Sequence, residues 1–97
     1  MRPAEPADAE AIARLLEPYA KRQIVLPRSP SEIRQHAGDF ILAEADERAI
    51  GAVAVCDYGA GLFEIRSLVV DPDYAERGLG SHLINTAIDR AAECGAN

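Results

Sequence analysis

The stretch Leu68-Val69-Val70-Asp71-Pro72-Asp73-Tyr74-Ala75-Glu76-Arg77-Gly78-Leu79-Gly80 decides how this chain folds. Its first part is apolar and β-branched, which suits a strand. Pro72 ends that strand, because proline lacks the amide a sheet ladder needs. Gly78 and Gly80 then stand one residue apart where a helical pattern begins. Free amides at a helix N-terminus, with the positive end of the dipole behind them, suit an anionic phosphate. Glycines let a pyrophosphate approach the backbone with no Cβ in the way, and Arg77 beside them offers charge-assisted hydrogen bonds. A bare Gly-x-Gly can equally do no more than shape a turn. There is neither a Gly-x-Gly-x-x-Gly fingerprint nor a Gly-Lys-Ser P-loop.

Working outward, Phe63 to Val70 reads as one strand and Gly78 to Cys94 as the longest helix. The helix carries an apolar stripe of Leu79, Leu83, Ile84, Ala87, Ile88 and Ala91, and Gly95 stops it. A strand followed by an amphipathic helix makes two-thirds of a βαβ unit. The second parallel strand does not follow, so either the chain is truncated or a partner chain completes the sheet. Upstream, Phe40 to Ala43 and Ile50 to Cys56 form a hairpin about a turn at Ala45 to Arg48, and Tyr58-Gly59-Ala60-Gly61 is a flexible link. Further back, Asp8 caps a helix whose Ile12, Leu15, Leu16 and Tyr19 share one face, and Pro18 kinks or ends it. Ile24 to Arg28 is a connector. Ser29-Pro30-Ser31-Glu32 then starts a short helix with a Ser cap, Pro at the first position and Glu three residues on, and Gly38 stops it. The expected architecture is α/β: a mixed, mostly antiparallel sheet with helices on its faces.

At 97 residues the chain makes one domain, burying roughly two-thirds of its unfolded surface. A formal net charge of -6 with scattered Lys and Arg argues against nucleic acid as a partner. Cys56 and Cys94 make no disulfide framework, and His36 and His82 have no ligand cluster near them, so no metal is expected. The charged first twenty residues hold no signal-peptide core, and no apolar run is long enough for a membrane span. The expected setting is the reducing cytoplasm. Cys56 is expected to be a small buried hydrophobe, and Tyr19 and Tyr74 packing residues whose hydroxyls reach solvent.

The decisive stretch, taken whole, resembles the GNAT superfamily of N-acetyltransferases. Leu68-Val69-Val70, Asp71-Pro72 and Gly78-Leu79-Gly80 fall in register with that family's signature, followed by Leu83-Ile84. The upstream order of two helices, a hairpin and the signature strand is also similar. The resemblance implies a single N-acetyltransferase domain over residues 1–97, lacking its carboxy-terminal strands, with acetyl-CoA as co-substrate and a small amine as acceptor. It implies that the carrier's pantetheine arm pairs with the backbone of Leu68, Val69 and Val70, where an amide polarises the thioester carbonyl. The pyrophosphate would lie on the amides of Arg77, Gly78, Leu79, Gly80 and Ser81. The signature's Gln or Arg falls on Ala75, a departure that Arg77 could offset. Glu64 stands where many relatives carry a carboxylate and is the candidate base; its other reading is a solvent-facing residue paired with Arg66. Leu26-Pro27-Arg28-Ser29 and Phe63-Glu64-Ile65-Arg66-Ser67-Leu68 resemble segments of the amino-acid N-acetyltransferases that make N-acetylglutamate for arginine synthesis. By that likeness Arg28 would grip a substrate carboxylate; its other reading is a loop arginine. A non-catalytic CoA-binding or assembly module, dimerising through the exposed sheet edge, is the competing expectation.

Overall fold

The computed structural model describes residues 1–22, 29–74 and 78–95. Arg28, Ala75 and Arg77, with the Ile24 to Arg28 connector, lie outside the described residues.

The strands are β1 (Arg2–Pro3), β2 (Phe40–Ala45), β3 (Arg48–Asp57) and β4 (Phe63–Val70), in the order β1-β2-β3-β4, and all their pairings are antiparallel. Among the described residues β4 is an edge. The helices are α1 (Ala9–Lys21), α2 (Pro30–Gln35) and α3 (Leu79–Glu93). The expected mostly antiparallel sheet flanked by helices is the architecture found.

Alternation along the strands sends side chains to two cores. On one face Ile12, Leu15, Leu16 and Ile33 bury against Phe40, Leu42, Ala52, Ala54 and Val69. On the other Leu83, Ala87 and Ala91 of α3 bury against Ile41, Ala43, Val53, Val55 and Val70. β3 lies between two neighbouring strands and is covered on both faces, so Ala49 to Val55, Gly51 included, are buried without interruption. At Gly51 a Cβ would meet Leu83 Cδ1 at 2.9 Å and the Val69 carbonyl at 3.3 Å. The missing side chain is what lets α3 lie this close to the sheet.

The capping box at Ser29 is present: its hydroxyl accepts the Glu32 amide at 3.2 Å. Four expectations change. Pro18 does not end α1, which runs on to Lys21, because packing of Leu15, Leu16 and Tyr19 outweighs one lost backbone bond. Asp8 occupies the N-cap position of α1 without bonding the helix; its carboxylate takes the Glu5 amide at 2.8 Å and both terminal nitrogens of Arg2 at 2.8 and 2.9 Å. Gly38 does not stop α2 but lies in a 3-10 turn, Ala37–Asp39, that leads into β2. The Tyr58 to Gly61 segment is an ordered loop, not a flexible link: Tyr58 N–H bonds the Leu62 carbonyl, Leu62 N–H the Gly59 carbonyl, and Gly59 N–H the Asp57 carboxylate.

Candidate active site

β4 is irregular at one place. Its register runs Ala52 to Val69 and then Ala54 to Arg66, so Ser67 and Leu68 together oppose the single Val53. Ser67 has φ 57, in the left-handed region that non-glycine residues seldom occupy. This β-bulge makes one extra residue share the strand. In consequence Glu64 and Arg66 stand on the α1–α2 side together with Val69, while Leu68 and Val70 turn toward α3.

Beyond the bulge, Asp71 N–H bonds the Ile50 carbonyl at 2.7 Å. Alternation of an antiparallel ladder then commits the Val69 backbone to β3 and turns that of Val70 to the open edge. There the Val70 carbonyl accepts the Tyr19 hydroxyl at 2.6 Å. Tyr19 packs against the core as expected, but its hydroxyl bonds the protein instead of reaching for solvent and ties α1 to the last residue of β4. After Asp71, whose carboxylate pairs with Arg48 at 3.2 Å, the chain makes a 3-10 turn, Pro72–Tyr74.

Gly78 sits at the N-cap of α3 with φ 70 and no side-chain cap. The φ value explains that glycine. Gly80 is different: a Cβ there would meet only Val70 Cγ2, at 4.0 Å. Among the described residues its bareness is not forced by packing, and it keeps a Cβ away from the first-turn amides of Leu79, Gly80 and Ser81. These residues fit an anionic group.

On the α1–α2 side a cleft of about 400 Å³ is lined by Glu32, His36, Asp39, Cys56, Asp57, Tyr58 and Arg66. Cys56 is half-buried here instead of buried. Glu64, opposite Cys56 in register, is exposed; its Oε1 accepts the Tyr58 hydroxyl at 3.4 Å and lies 3.6 Å from Arg66. Arg66 holds its proton more firmly than usual, chiefly through hydrogen bonding with Tyr58 and against the opposing cost of burial, so it is a cation at any working pH.

The sequence profile of the Acetyltransferase (GNAT) family matches residues 8–97. The chain belongs to the GNAT family. It is similar to an uncharacterized N-acetyltransferase of Chlorobaculum tepidum, 39% identical over 97 residues that span 100% of this chain and 63% of that one. It is also similar to the amino-acid acetyltransferase of Neisseria meningitidis, 31% identical over 98% of this chain and 22% of that protein. N-acetylglutamate synthase from Neisseria gonorrhoeae, solved with coenzyme A and N-acetyl-glutamate, superposes with a TM-score of 0.93 at 30% identity, covering 98% of this chain and 23% of that one. The chain thus spans less than two-thirds of the length of these relatives.

Within this GNAT chain, the described candidates fall into two groups. Leu68, Val69 and Val70 lead along the edge strand toward Gly78, Leu79, Gly80 and Ser81, while Glu64, outside the cleft lining, touches two residues that line it, Tyr58 and Arg66. The sequence marked nothing special at Ser67 and gave Tyr19 a packing role and Arg66 only a pairing with Glu64. A serine in a strand pattern gives no sign of a left-handed backbone, and the Tyr19 bond spans 51 residues of chain.

Proposed function

We propose that this GNAT chain transfers an acetyl group from acetyl-CoA to the amine of a small substrate in the cytoplasm, with an amino acid, glutamate among the candidates, as acceptor. The observation that carries this reading is the bulge at Ser67, which breaks the ladder beside a carboxylate, a cleft and an open strand edge. When bound, acetyl-CoA supplies the thioester whose carbonyl the amine attacks. The chain's own residues position and polarise. The Leu68 to Val70 segment runs along the open edge, where the Val70 amide meets the pantetheine arm and stabilises the developing oxyanion, a role worth about 10²–10³ in rate where one donor has been removed. Amides from Gly78 to Ser81, with Arg77 beside them, bind the pyrophosphate.

An ammonium group has no lone pair and must lose a proton before it attacks. Free α-amines have pKa values near 8, so Glu64 suffices as base, directly or through water. Arg28 grips an acceptor carboxylate with its planar fork. Calorimetric titration with acetyl-CoA, against a buffer blank, tests the carrier site; a folded chain with no saturable binding would overturn it. Acetyl-CoA-dependent release of free thiol with amino-acid acceptors then tests transfer.

A second reading is favoured by the apolar surface at the β4 edge, where Leu62, Ile65, Ile84 and Ile88 are exposed by 63%, 37%, 37% and 50%. It is a CoA-binding or assembly module that pairs two copies through this edge. Stabilisation by CoA without turnover, with a dimer in sedimentation, supports that reading over the first.

A further inference from the structure

Arg66 carries a charge that the sequence reading leaves unused. It stands one residue before the bulge, its side chain 35% exposed at the cleft. Other arginines aim their forks at protein groups at shorter range. Arg2 holds Asp8 and Glu44 between 2.6 and 2.9 Å, and Arg90 reaches the Gly38 carbonyl at 2.6 Å. Arg66 is steadied by the neighbouring Tyr58 hydroxyl, but its approach to a carboxylate, Glu64, is a single one of 3.6 Å, beyond hydrogen-bond range. Its planar donor pair is suited to a two-pronged grip on a carboxylate that Glu64, in this geometry, does not take.

The surroundings fix what kind of carboxylate. Glu32, Asp39 and Asp57 also line the cleft, so a simple anion meets repulsion, whereas a molecule carrying an ammonium beside its carboxylate meets both signs. Arg66 and Glu64 share one strand face with opposite charges close together, and an α-amino acid carries the complementary pair on one carbon. We infer that Arg66 binds the α-carboxylate of an amino-acid acceptor and so turns its amine toward Glu64. This rests on the acetyl-transfer reading, and it leaves Arg28 for a second, side-chain carboxylate where the acceptor has one. Arg66 is thus a specificity residue, and the substrate class is the free α-amino acid in place of an amine without a carboxylate.

The test is an NMR titration of the 97-residue chain, labelled with ¹⁵N, with three amino acids (L-alanine, L-glutamate and L-lysine) and the α-amide of each. At least one acid is expected to bind saturably, shifting amides near Ser67, and to outbind its amide about tenfold. Arg66→Gln is expected to erase that preference while leaving amide binding unchanged, and Arg66→Lys, which keeps the charge but not the fork, to retain part of it. The dispersion of each variant's spectrum reports its folding. No acid outbinding its amide, or an unchanged preference in a folded Arg66→Gln, overturns the inference. Acetyl-CoA titrated into the same samples separates the two proposals. Carrier binding without acid preference refutes the Arg66 role alone, and acid preference without carrier binding refutes acetyl transfer alone.

Discussion

Ser67 is the residue on which the site turns. A left-handed backbone at a non-glycine residue costs on the order of 1–3 kcal/mol, and a β-branched side chain raises that cost. Ser67 already carries that cost, so Ser67→Val is expected to lower unfolding stability in urea only by the β-branched increment, a part of that sum of about 1–3 kcal/mol, and to weaken acetyl-CoA binding, since the ladder is pressed toward regular register. Glu64 bears a different kind of expectation. Being exposed, it contributes little to stability, so Glu64→Gln should melt with the wild type. If Glu64 is the base, turnover falls by about 10²–10⁴; full turnover in a protein otherwise active would remove it from the mechanism. Glu64 was a candidate in the sequence because the strand that carries it resembles the family's signature strand, where many relatives place a carboxylate. Ser67 was not, because backbone dihedrals at a serine are set by the neighbouring strand and α3, not by the serine.

Among the elements, α3 is held to the sheet through the hole at Gly51. Adding one methyl there brings it within 2.9 Å of Leu83 Cδ1 and 3.3 Å of both Leu79 Cδ2 and the Val69 carbonyl. The leucine tips can rotate away, but the carbonyl belongs to the ladder and cannot. Gly51→Ala is therefore expected to cost about 1–3 kcal/mol by overpacking, read as a lower urea midpoint, and to reduce carrier affinity in the same protein because Leu79 opens the helix proposed to bind it. Local signals in the sequence reached most elements: the strand Phe63–Val70 and the capped start at Ser29 depend on neighbours close in the chain. Pro18 misled because a rule about one backbone bond was outvoted by the burial of Leu15 and Leu16 and by the tie from Tyr19 to Val70. Hydrogen bonds within the Tyr58 to Gly61 loop were equally illegible, since glycine content marks a turn without saying whether it is fixed.

For the molecule as a whole, the amino terminus is fastened by Arg2, which bridges Asp8 beside α1 and Glu44 on β2. The hydrogen bonds from Arg2 hold the Asp8 carboxyl below its ordinary value. A carboxylate depressed in the folded state stabilises above its unfolded pKa, about 3.9, and the gain is lost as pH falls through the folded value. The Tm advantage of wild type over Arg2→Met should thus be constant from neutral pH to about pH 5 and shrink as the solution is acidified below about pH 4. A constant advantage down to low pH would show that the link to Asp8 is not what Arg2 contributes. The far end of the chain meets this same corner. Arg90, near the end of α3, grips the carbonyl of Gly38, and the Thr86 hydroxyl lies 3.4 Å from the sulfur of Met1. A nascent polypeptide leaving the ribosome can build its hairpins as they emerge, but this seam has to wait for α3. Residues 1–3 are thus locked late, and until α3 is made the emerging chain exposes the buried flank of Ile41 to chaperones and proteases.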